Sequence, residues 1–290
     1  MFILRFDLET AYALRSAPET DENWQLWIDE AVAAVSRIVA VLRQHDAPAT
    51  FFIVGRVLEK GGDRLAPVLK SHPLIDIQSH SYSHMVVKSD DDAVADQFRQ
   101  ELRKTSALIE THFGARPIGF CAPGNFYRGL QGCRKPLRVL REEGYRFVGS
   151  DGEGPPERPM PAPFTQPYWY ADDGFPDLLE EPITGWHCNM LFNTGGQSDN
   201  FRPQVGFPDG SVLEKLPATI EEGFAARAKE FQYAIDHGLI YAPAYHPWSI
   251  YRFDPEMAHM GRLIDMARAN DVPILNCRQL YAHCNEKEPK

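Results

Sequence analysis

The sequence predicts an α/β fold in which one barrel-like domain is built on a parallel sheet. Short runs of β-type residues alternate with amphipathic helices over most of the 290 residues, and seven or eight such units imply a barrel. The hydrophobic content of 43% is enough to fill a large core. No internal repeat or linker divides residues 1–290, so a single domain is the simplest count. An open doubly wound sheet is the alternative, although no Gly-x-Gly-x-x-Gly turn follows the first strand.

The predicted strands are short, mostly apolar and bounded by small or polar residues. They are 2–6, 49–54, 74–77, 118–121, 145–149, 182–186, 239–245 and 272–275. The predicted helices carry apolar residues at every third or fourth position, which is the spacing of one buried helix face. They are 24–42, 94–109, 136–143, 220–237 and 255–269. Gly114 and Pro117 end the second of these helices.

The alternation of strands and helices breaks between about 152 and 217. Seven prolines stand between positions 155 and 176, and proline disrupts regular helices and central strands. We therefore expect an irregular insertion here, apart from the short strand 182–186. Aromatic residues such as Tyr168, Trp169, Tyr170 and Phe175 favour a packed loop over a disordered one.

Composition excludes several classes of partner and predicts a compartment. The net charge of -10 argues against nucleic acid or an anionic membrane as partner, because both require a basic surface. No run approaches the roughly 20 apolar residues of a membrane span. The five cysteines lack C-x-x-C spacing and the first apolar run is too short for a signal peptide, so we expect reduced thiols and a cytoplasmic location. The oligomeric state is left open.

A pair of histidines and two further polar groups predict one functional site. His80 and His84 are four residues apart, so on one helical turn they would share a face and offer a divalent metal two nitrogen ligands. Asp7 and Glu9 end the first apolar run, and His246 ends a later one. Because functional groups of parallel α/β folds gather at the carboxyl ends of the strands, these side chains are expected to meet.

This residue set suits metal-assisted hydrolysis. Two imidazoles and one carboxylate form the ligand set of an open zinc site, in which one position remains for water. The metal would lower the pKa of that water and polarise a carbonyl group. A remaining carboxylate could accept the water proton, and a separate histidine could donate a proton to the leaving group.

Six segments of the chain resemble, in order, the motifs of the polysaccharide deacetylase family (carbohydrate esterase family 4). They are 6–10, 49–55, 76–84, 120–125, 144–151 and 245–247. The resemblance implies a distorted (β/α) barrel with seven or eight strands and metal-dependent hydrolysis of an N-acyl group. It also implies that Glu9, His80 and His84 hold one divalent metal, for which zinc is the first choice.

The resemblance assigns three further roles. Asp7 corresponds to the general base and His246 to the general acid. The backbone N–H of Gly124 corresponds to a donor that helps the metal stabilise an oxyanion.

Three positions depart from the family pattern. Glu9 stands where the family usually has an aspartate, and its longer side chain shifts the metal unless the backbone compensates. Cys121 stands where the third motif usually supplies an arginine that orients the base, which suggests a divergent branch. Asp151 is only roughly in register with the acid that tunes the family's late histidine.

The sequence therefore predicts a metal-dependent hydrolase that removes an N-acyl group from an amino sugar or a sugar-like substrate. Two alternatives stay open. One is a hydrolase of a small cyclic amide, ureide or formamide on the same scaffold, because the insertion at 152–217 could reduce the pocket to small-molecule size. The other is a non-catalytic relative that binds a sugar or a protein, for which Glu9 and Cys121 are the motivation.

Overall fold

A mainly parallel β-sheet forms the centre of the computed structural model, which describes residues 1–14, 17–195, 207, 211 and 213–287. The strands are β1 (Phe2–Ile3), β2 (Arg5–Leu8), β3 (Ala49–Ile53), β4 (Ile75–Ser79), β5 (Gly119–Tyr127), β6 (Phe147–Glu153), β7 (Tyr168–Tyr170), β8 (Phe175–Glu180), β9 (Ala244–Tyr245) and β10 (Ile274–Leu275). The helices are α1 (Asp21–Gln44), α2 (Gly55–Lys70), α3 (Asp92–Phe113), α4 (Arg134–Glu142), α5 (Cys188–Leu191), α6 (Ile220–Asp236), α7 (Pro247–Phe253), α8 (Ala258–Ala269) and α9 (Cys277–Lys287). A 3-10 helix, Ala11–Leu14, follows β2.

The strand order and two further hydrogen bonds close this sheet into a barrel. The main sheet has the order β7-β8-β6-β5-β4-β3-β2-β9, and only β7 runs antiparallel to its neighbour. After β8, the N–H of Ile183 donates to the carbonyl of Asp151 at 2.7 Å, and the N–H of Thr184 donates to the carbonyl of Ala242 at 3.0 Å. The chain thus bridges β6 to the segment that leads into β9, and the predicted α/β barrel is confirmed.

The long helices form where the apolar spacing predicts them. In α1, Trp27, Ile28 and Val35 are among the residues of one buried face, and the side chain of Thr20 caps the amino end. In α3, Asp91 caps the amino end, and Gly114 ends the helix in the left-handed conformation with φ 79°. None of the helices within the described ranges is long and apolar enough to cross a membrane.

Helix α2 is absent from the sequence prediction because its composition argues against a helix. It contains Gly61, Gly62 and Pro67, all of which are unfavourable inside a helix. A Cβ atom at Gly61 would come within 2.6 Å of the Ile28 side chain, and one at Gly62 within 2.4 Å of His112. These glycines allow α2 to pack closely against α1 and α3, so tertiary packing overrides local propensity. Helices α5, α7 and α9 were also not predicted.

The expectation that the insertion at 152–217 contains no central strand is wrong. Strand β8 pairs in parallel with β6 through Leu179 and Glu180. The predicted strand 182–186 is wrong, because these residues form no regular strand and Gly185 makes only an isolated bridge with Ala162. Pro176 is tolerated because it lies before the residues that pair with β6 and within the irregular part of the pairing with β7, where it has no partner residue. The predicted strand 239–245 is reduced to β9. Positions 196–206, 208–210 and 212 of the insertion lie outside the described residues.

Candidate active site

All six predicted site residues line one cavity at the carboxyl ends of the strands. The cavity has a volume of about 150 Å³. Its lining comprises Asp7, Glu9, Ala13, His80, His84, Gly124, Asn125, His187, Asn189, Met190 and His246. Since β2, β4, β5 and β9 are parallel, their carboxyl ends face the same side, and this topology brings residues more than 200 positions apart in the sequence into one site.

The histidine pair lies in a loop after β4, so the predicted helical support for it is wrong. His84 has φ 60°, in the left-handed region, which no residue within a right-handed helix adopts. The loop is held by Glu101 of α3, whose carboxylate accepts the backbone N–H of Tyr82 at 2.8 Å and that of Ser83 at 2.6 Å. The spacing of four residues therefore brings the two rings together through a tethered loop.

Glu9, His80 and His84 form a compact set of metal donors. Glu9 Oε2 lies 2.7 Å from His84 Nε2 and 3.6 Å from His80 Nε2. One ligand atom from each of the three lies within 4.8 Å of the others. His80 Nδ1 lies 2.8 Å from the carbonyl oxygen of Cys121, which fixes Nδ1 as the donor and leaves Nε2 for a metal. These donors fit a divalent metal with an open coordination position.

The charge state of Glu9 also suits a metal ligand. Burial alone would raise the pKa of Glu9, but the positive charges of His246 and His84 and hydrogen bonds from His80 and His84 hold it well below its ordinary value. Burial would lower the pKa of His80, but the charge of Asp7, with hydrogen bonds to Cys121 and Glu9, raises it well above its ordinary value. The surroundings of Glu9 and His80 thus favour a positive charge between these two side chains.

A second set of donor atoms, from Asp7, His80 and Cys121, is less suited to a metal. Burial raises the pKa of the Cys121 thiol, and the thiolate is the form that binds metals. Arg5 Nη2 also lies 3.2 Å from Cys121 Sγ, so a cation already contacts this sulfur. Asp7 keeps a buried Oδ1 that has no hydrogen-bond partner among the described residues. That oxygen is available to accept a proton from a water molecule in the cavity.

His246 is placed with one ring nitrogen towards the donor set and the other towards a cysteine. Nε2 lies 3.6 Å from Glu9 Oε1, and Nδ1 lies 3.3 Å from Cys188 Sγ. Burial would lower the pKa of His246, but the charges of Glu9 and Cys188 and the hydrogen bond to Cys188 raise it to about 9. The imidazole is therefore protonated at neutral pH, as a general acid requires.

Gly124 and Asp151 are placed differently with respect to the cavity. Gly124 lines the cavity and has φ 84°, a conformation that favours glycine. Asp151 instead accepts a hydrogen bond from the Tyr168 hydroxyl at 3.2 Å, and burial raises its pKa. In the described part of the chain, the group that contacts His246 Nδ1 is Cys188, so the rough correspondence of Asp151 to the acid that tunes the late histidine finds no contact to support it.

The sequence prediction missed His187 and Cys188, which enter the site from the insertion. His187 Nε2 lies 2.9 Å from the carbonyl oxygen of Gly152. Burial and the charge of His246 lower the pKa of His187 to about 4, so this ring is neutral near pH 7. Both residues follow the predicted strand 182–186 directly. The rule that functional groups follow the carboxyl ends of strands would therefore have pointed to them.

The fold and the donor set together define an α/β-barrel protein with a candidate metal centre at the carboxyl ends of its strands. The family model described as polysaccharide deacetylase matches residues 18–148 of this chain. The matched segment contains His80, His84 and Gly124, whereas the other three predicted site residues lie outside it.

Solved structures of three proteins share the fold at low sequence identity. A protein from Mycobacterium smegmatis assigned as a polysaccharide deacetylase has a TM-score of 0.67 and 19% identity, and the match covers 100% of this chain and 92% of that one. The Puue allantoinase gives a TM-score of 0.67, 17% identity and the same coverage. A carbohydrate esterase family 4 pseudoenzyme from Bacillus anthracis gives a TM-score of 0.52 and 15% identity, and the match covers 97% of this chain and 65% of that one. The comparison with curated proteins finds no match.

Proposed function

We propose that this protein is a metal-dependent hydrolase that removes an N-acyl group, such as acetyl, from an amino sugar or a sugar-like substrate. The observation that carries the proposal is the arrangement of Glu9, His80 and His84 as a donor set beside Asp7 and His246 in one cavity. The family consists mostly of metal-dependent deacetylases, which supports the same reaction class.

In this proposal Glu9, His80 and His84 hold the metal, with zinc as the first choice. When bound, the metal supplies Lewis acidity and lowers the pKa of a water molecule. Asp7 accepts a proton through its unpartnered Oδ1. His246 Nε2, which faces the donor set, donates a proton to the leaving nitrogen.

The backbone N–H of Gly124 contributes to oxyanion stabilisation in the same proposal, because Gly124 lines the cavity beside the donor set. A cytoplasmic location remains part of the proposal as well. It is supported by the five cysteines, which are all free thiols.

A second candidate function is hydrolysis of a small cyclic amide, ureide or formamide. The cavity of about 150 Å³ favours it, because this volume is smaller than the roughly 300–1,000 Å³ of typical small-molecule sites. The walls that His187, Asn189 and Met190 provide belong to the insertion, as expected for a segment that narrows the pocket. An amino sugar would place its acyl group in this cavity and its ring outside.

The first experiment is elemental analysis of the purified protein beside His80→Ala, with His237→Ala as the matched control at an exposed histidine. We expect about one equivalent of metal in the wild type and the control, and its loss in His80→Ala. Metal retained in full by His80→Ala would show that the ligand assignment is wrong.

A substrate screen then decides between the reaction classes. Release of acetate from N-acetylated amino sugars supports the proposal, whereas turnover of ureides or formamides alone supports the second candidate. A protein that binds metal and turns over neither class would indicate a non-catalytic relative, and one protein that shares the fold, from Bacillus anthracis, is described as a pseudoenzyme.

A further inference from the structure

The two ring nitrogens of His246 have different surroundings. Nε2 faces Glu9 at 3.6 Å, on the cavity side. Nδ1 lies 3.3 Å from Cys188 Sγ, and the backbone N–H of His246 donates to the same sulfur at 3.0 Å. Cys188 has no exposed surface, so its sulfur is surrounded by protein groups. One thiol therefore contacts both the ring and the backbone of the predicted general acid.

We propose that Cys188 is the positioning residue of His246: its sulfur accepts the Nδ1 proton and keeps Nε2 as the nitrogen that exchanges a proton with substrate. This inference rests on the proposed function, in which His246 is the general acid. Neither the sequence resemblance nor the family comparison assigns a role to this cysteine.

The sulfur is held in place from two sides. Cys188 begins α5, where its carbonyl accepts the N–H of Phe192 at 2.9 Å. Ser249, in the first turn of α7, forms a side-chain hydrogen bond with the thiol and shares a 2.5 Å hydrogen bond with the hydroxyl of Thr194. Because His246 directly precedes α7, the histidine and the residues that hold its partner belong to one packed unit.

Carboxylates that could accept the Nδ1 proton of His246 in place of Cys188 have other partners. Asp151 accepts from the Tyr168 hydroxyl, and Asp254 lies 2.8 Å from His259 Nδ1. Burial alone would raise the pKa of the Cys188 thiol, but the charge of His246 and the hydrogen bonds to the sulfur lower it. The sulfur therefore has the electron density of a good acceptor, which is the property that a partner of Nδ1 needs.

The proton balance of the step follows from this arrangement. Water adds to the acyl carbon and gives one proton to Asp7, and the bond between acyl carbon and nitrogen breaks. The leaving nitrogen receives the proton of His246 Nε2. The Nδ1 proton stays on the ring throughout, hydrogen-bonded to Cys188 Sγ, so the neutral ring that remains is the tautomer that can take a proton back at Nε2.

Three variants test the proposal: Cys188→Ala, Cys188→Ser and, as the matched control, Cys133→Ala at a half-buried thiol outside the cavity. With the N-acyl substrate that the wild type hydrolyses, we expect Cys188→Ala to lower kcat by about 10- to 100-fold, with little change in KM. This loss is below the roughly 10²–10⁴-fold contribution of a complete general acid. Cys188→Ser should recover part of kcat because its hydroxyl can accept from Nδ1, and the metal content should stay unchanged in all variants.

A second measurement does not depend on turnover. Multiple-bond ¹H–¹⁵N spectra of the zinc-loaded protein report which nitrogen of His246 carries a proton, and we expect a protonated Nδ1 in the wild type and a changed signal in Cys188→Ala. An unchanged spectrum together with wild-type kcat overturns the proposal. If Cys188→Ala does not fold, the same comparison is made with Cys188→Ser. If the wild type has no hydrolase activity but the spectrum still changes in Cys188→Ala, the contact between Cys188 and His246 is supported. In that case it is the proposed function that is wrong.

Discussion

Arg5 Nη2 donates a hydrogen bond to the Sγ of Cys121 at 3.2 Å, inside the barrel and two residues before Asp7 on the same strand. Arg5 Nη1 donates to the backbone carbonyl of Glu181 at 3.0 Å, and the guanidinium carbon lies 4.9 Å from the centre of the Phe52 ring. The motif resemblance predicts that Cys121 stands where an arginine is usual, and this correspondence stays a prediction. A guanidinium thus reaches this region from β2, although β5 provides only a thiol.

Replacing Arg5 with methionine should lower the free energy of unfolding by about 3 kcal/mol. The substitution leaves the buried carbonyl of Glu181 without a donor and the buried acids near it without a positive charge. Urea denaturation measures the effect. Arg64→Met is the control, because Arg64 forms a solvent-exposed ion pair with Asp29. This substitution should lower the free energy of unfolding by less than about 1 kcal/mol. An equal decrease in the free energy of unfolding in the two variants would contradict the structural role of Arg5.

The substitution Asp7→Asn should preserve metal binding and reduce turnover by about 10²–10⁴-fold. The amide keeps the size of the side chain but cannot accept the proton of a water molecule. Metal content and kcat, measured on the same preparation, check both parts. Glu9→Gln is the matched comparison, since it should lose metal as well as turnover. Normal turnover in Asp7→Asn would exclude Asp7 as the base.

Trp248→Phe should weaken metal binding by about tenfold. Trp248 Nε1 donates to Glu9 Oε1 at 3.4 Å and so helps to orient the carboxylate whose other oxygen faces the two histidines. Phenylalanine fills much of the same space without the donor. Competition with a chelator measures the change, and Trp169→Phe, in β7, serves as the control. Unchanged affinity in Trp248→Phe would mean that packing alone orients Glu9.

Glu180 should make stability depend on pH between about 4.5 and 7. Burial raises its pKa to about 7, although hydrogen bonds from Asp151, Ser150 and Tyr170 act in the opposite direction. Between the unfolded value of 4.5 and about 7, the folded state binds more protons than the unfolded state. The contribution of Glu180 is therefore complete below pH 4.5 and is lost as the pH rises towards 7, by about 3 kcal/mol.

The variant Glu180→Gln isolates this contribution. Its free energy of unfolding, relative to the wild type, should increase by about 3 kcal/mol between pH 4.5 and 7, because the amide does not titrate. Denaturant curves at several pH values measure the difference. Glu110→Gln, at an exposed position of α3, should follow the wild type. A constant difference between Glu180→Gln and the wild type would show that Glu180 does not titrate in this range.

Much of the fold was predictable because its signals are local. The apolar spacing that predicts α1 and α3 depends on residues within one helix. The strand that carries Asp7 and ends before Glu9, and the strand that precedes His80, are likewise signalled by short apolar runs. The helix α2 was not predictable, since its glycines are explained only by the approach of Ile28 and His112 from other helices. Strand β8 was not predicted for a similar reason, because only its pairing shows that Pro176 lies before the residues that pair with β6 and in an irregular part of the pairing with β7.

The sequence by itself predicted the barrel and six of the residues that line its cavity, because parallel strands place whatever follows them at one end of the sheet. The tertiary structure alone decided the contacts among those residues. Arg5 meets Cys121 across 116 positions of sequence, and Cys188 meets His246 across 58. Such contacts depend on how the insertion packs over the barrel and on which side chains face inward, and these are properties of the whole folded chain.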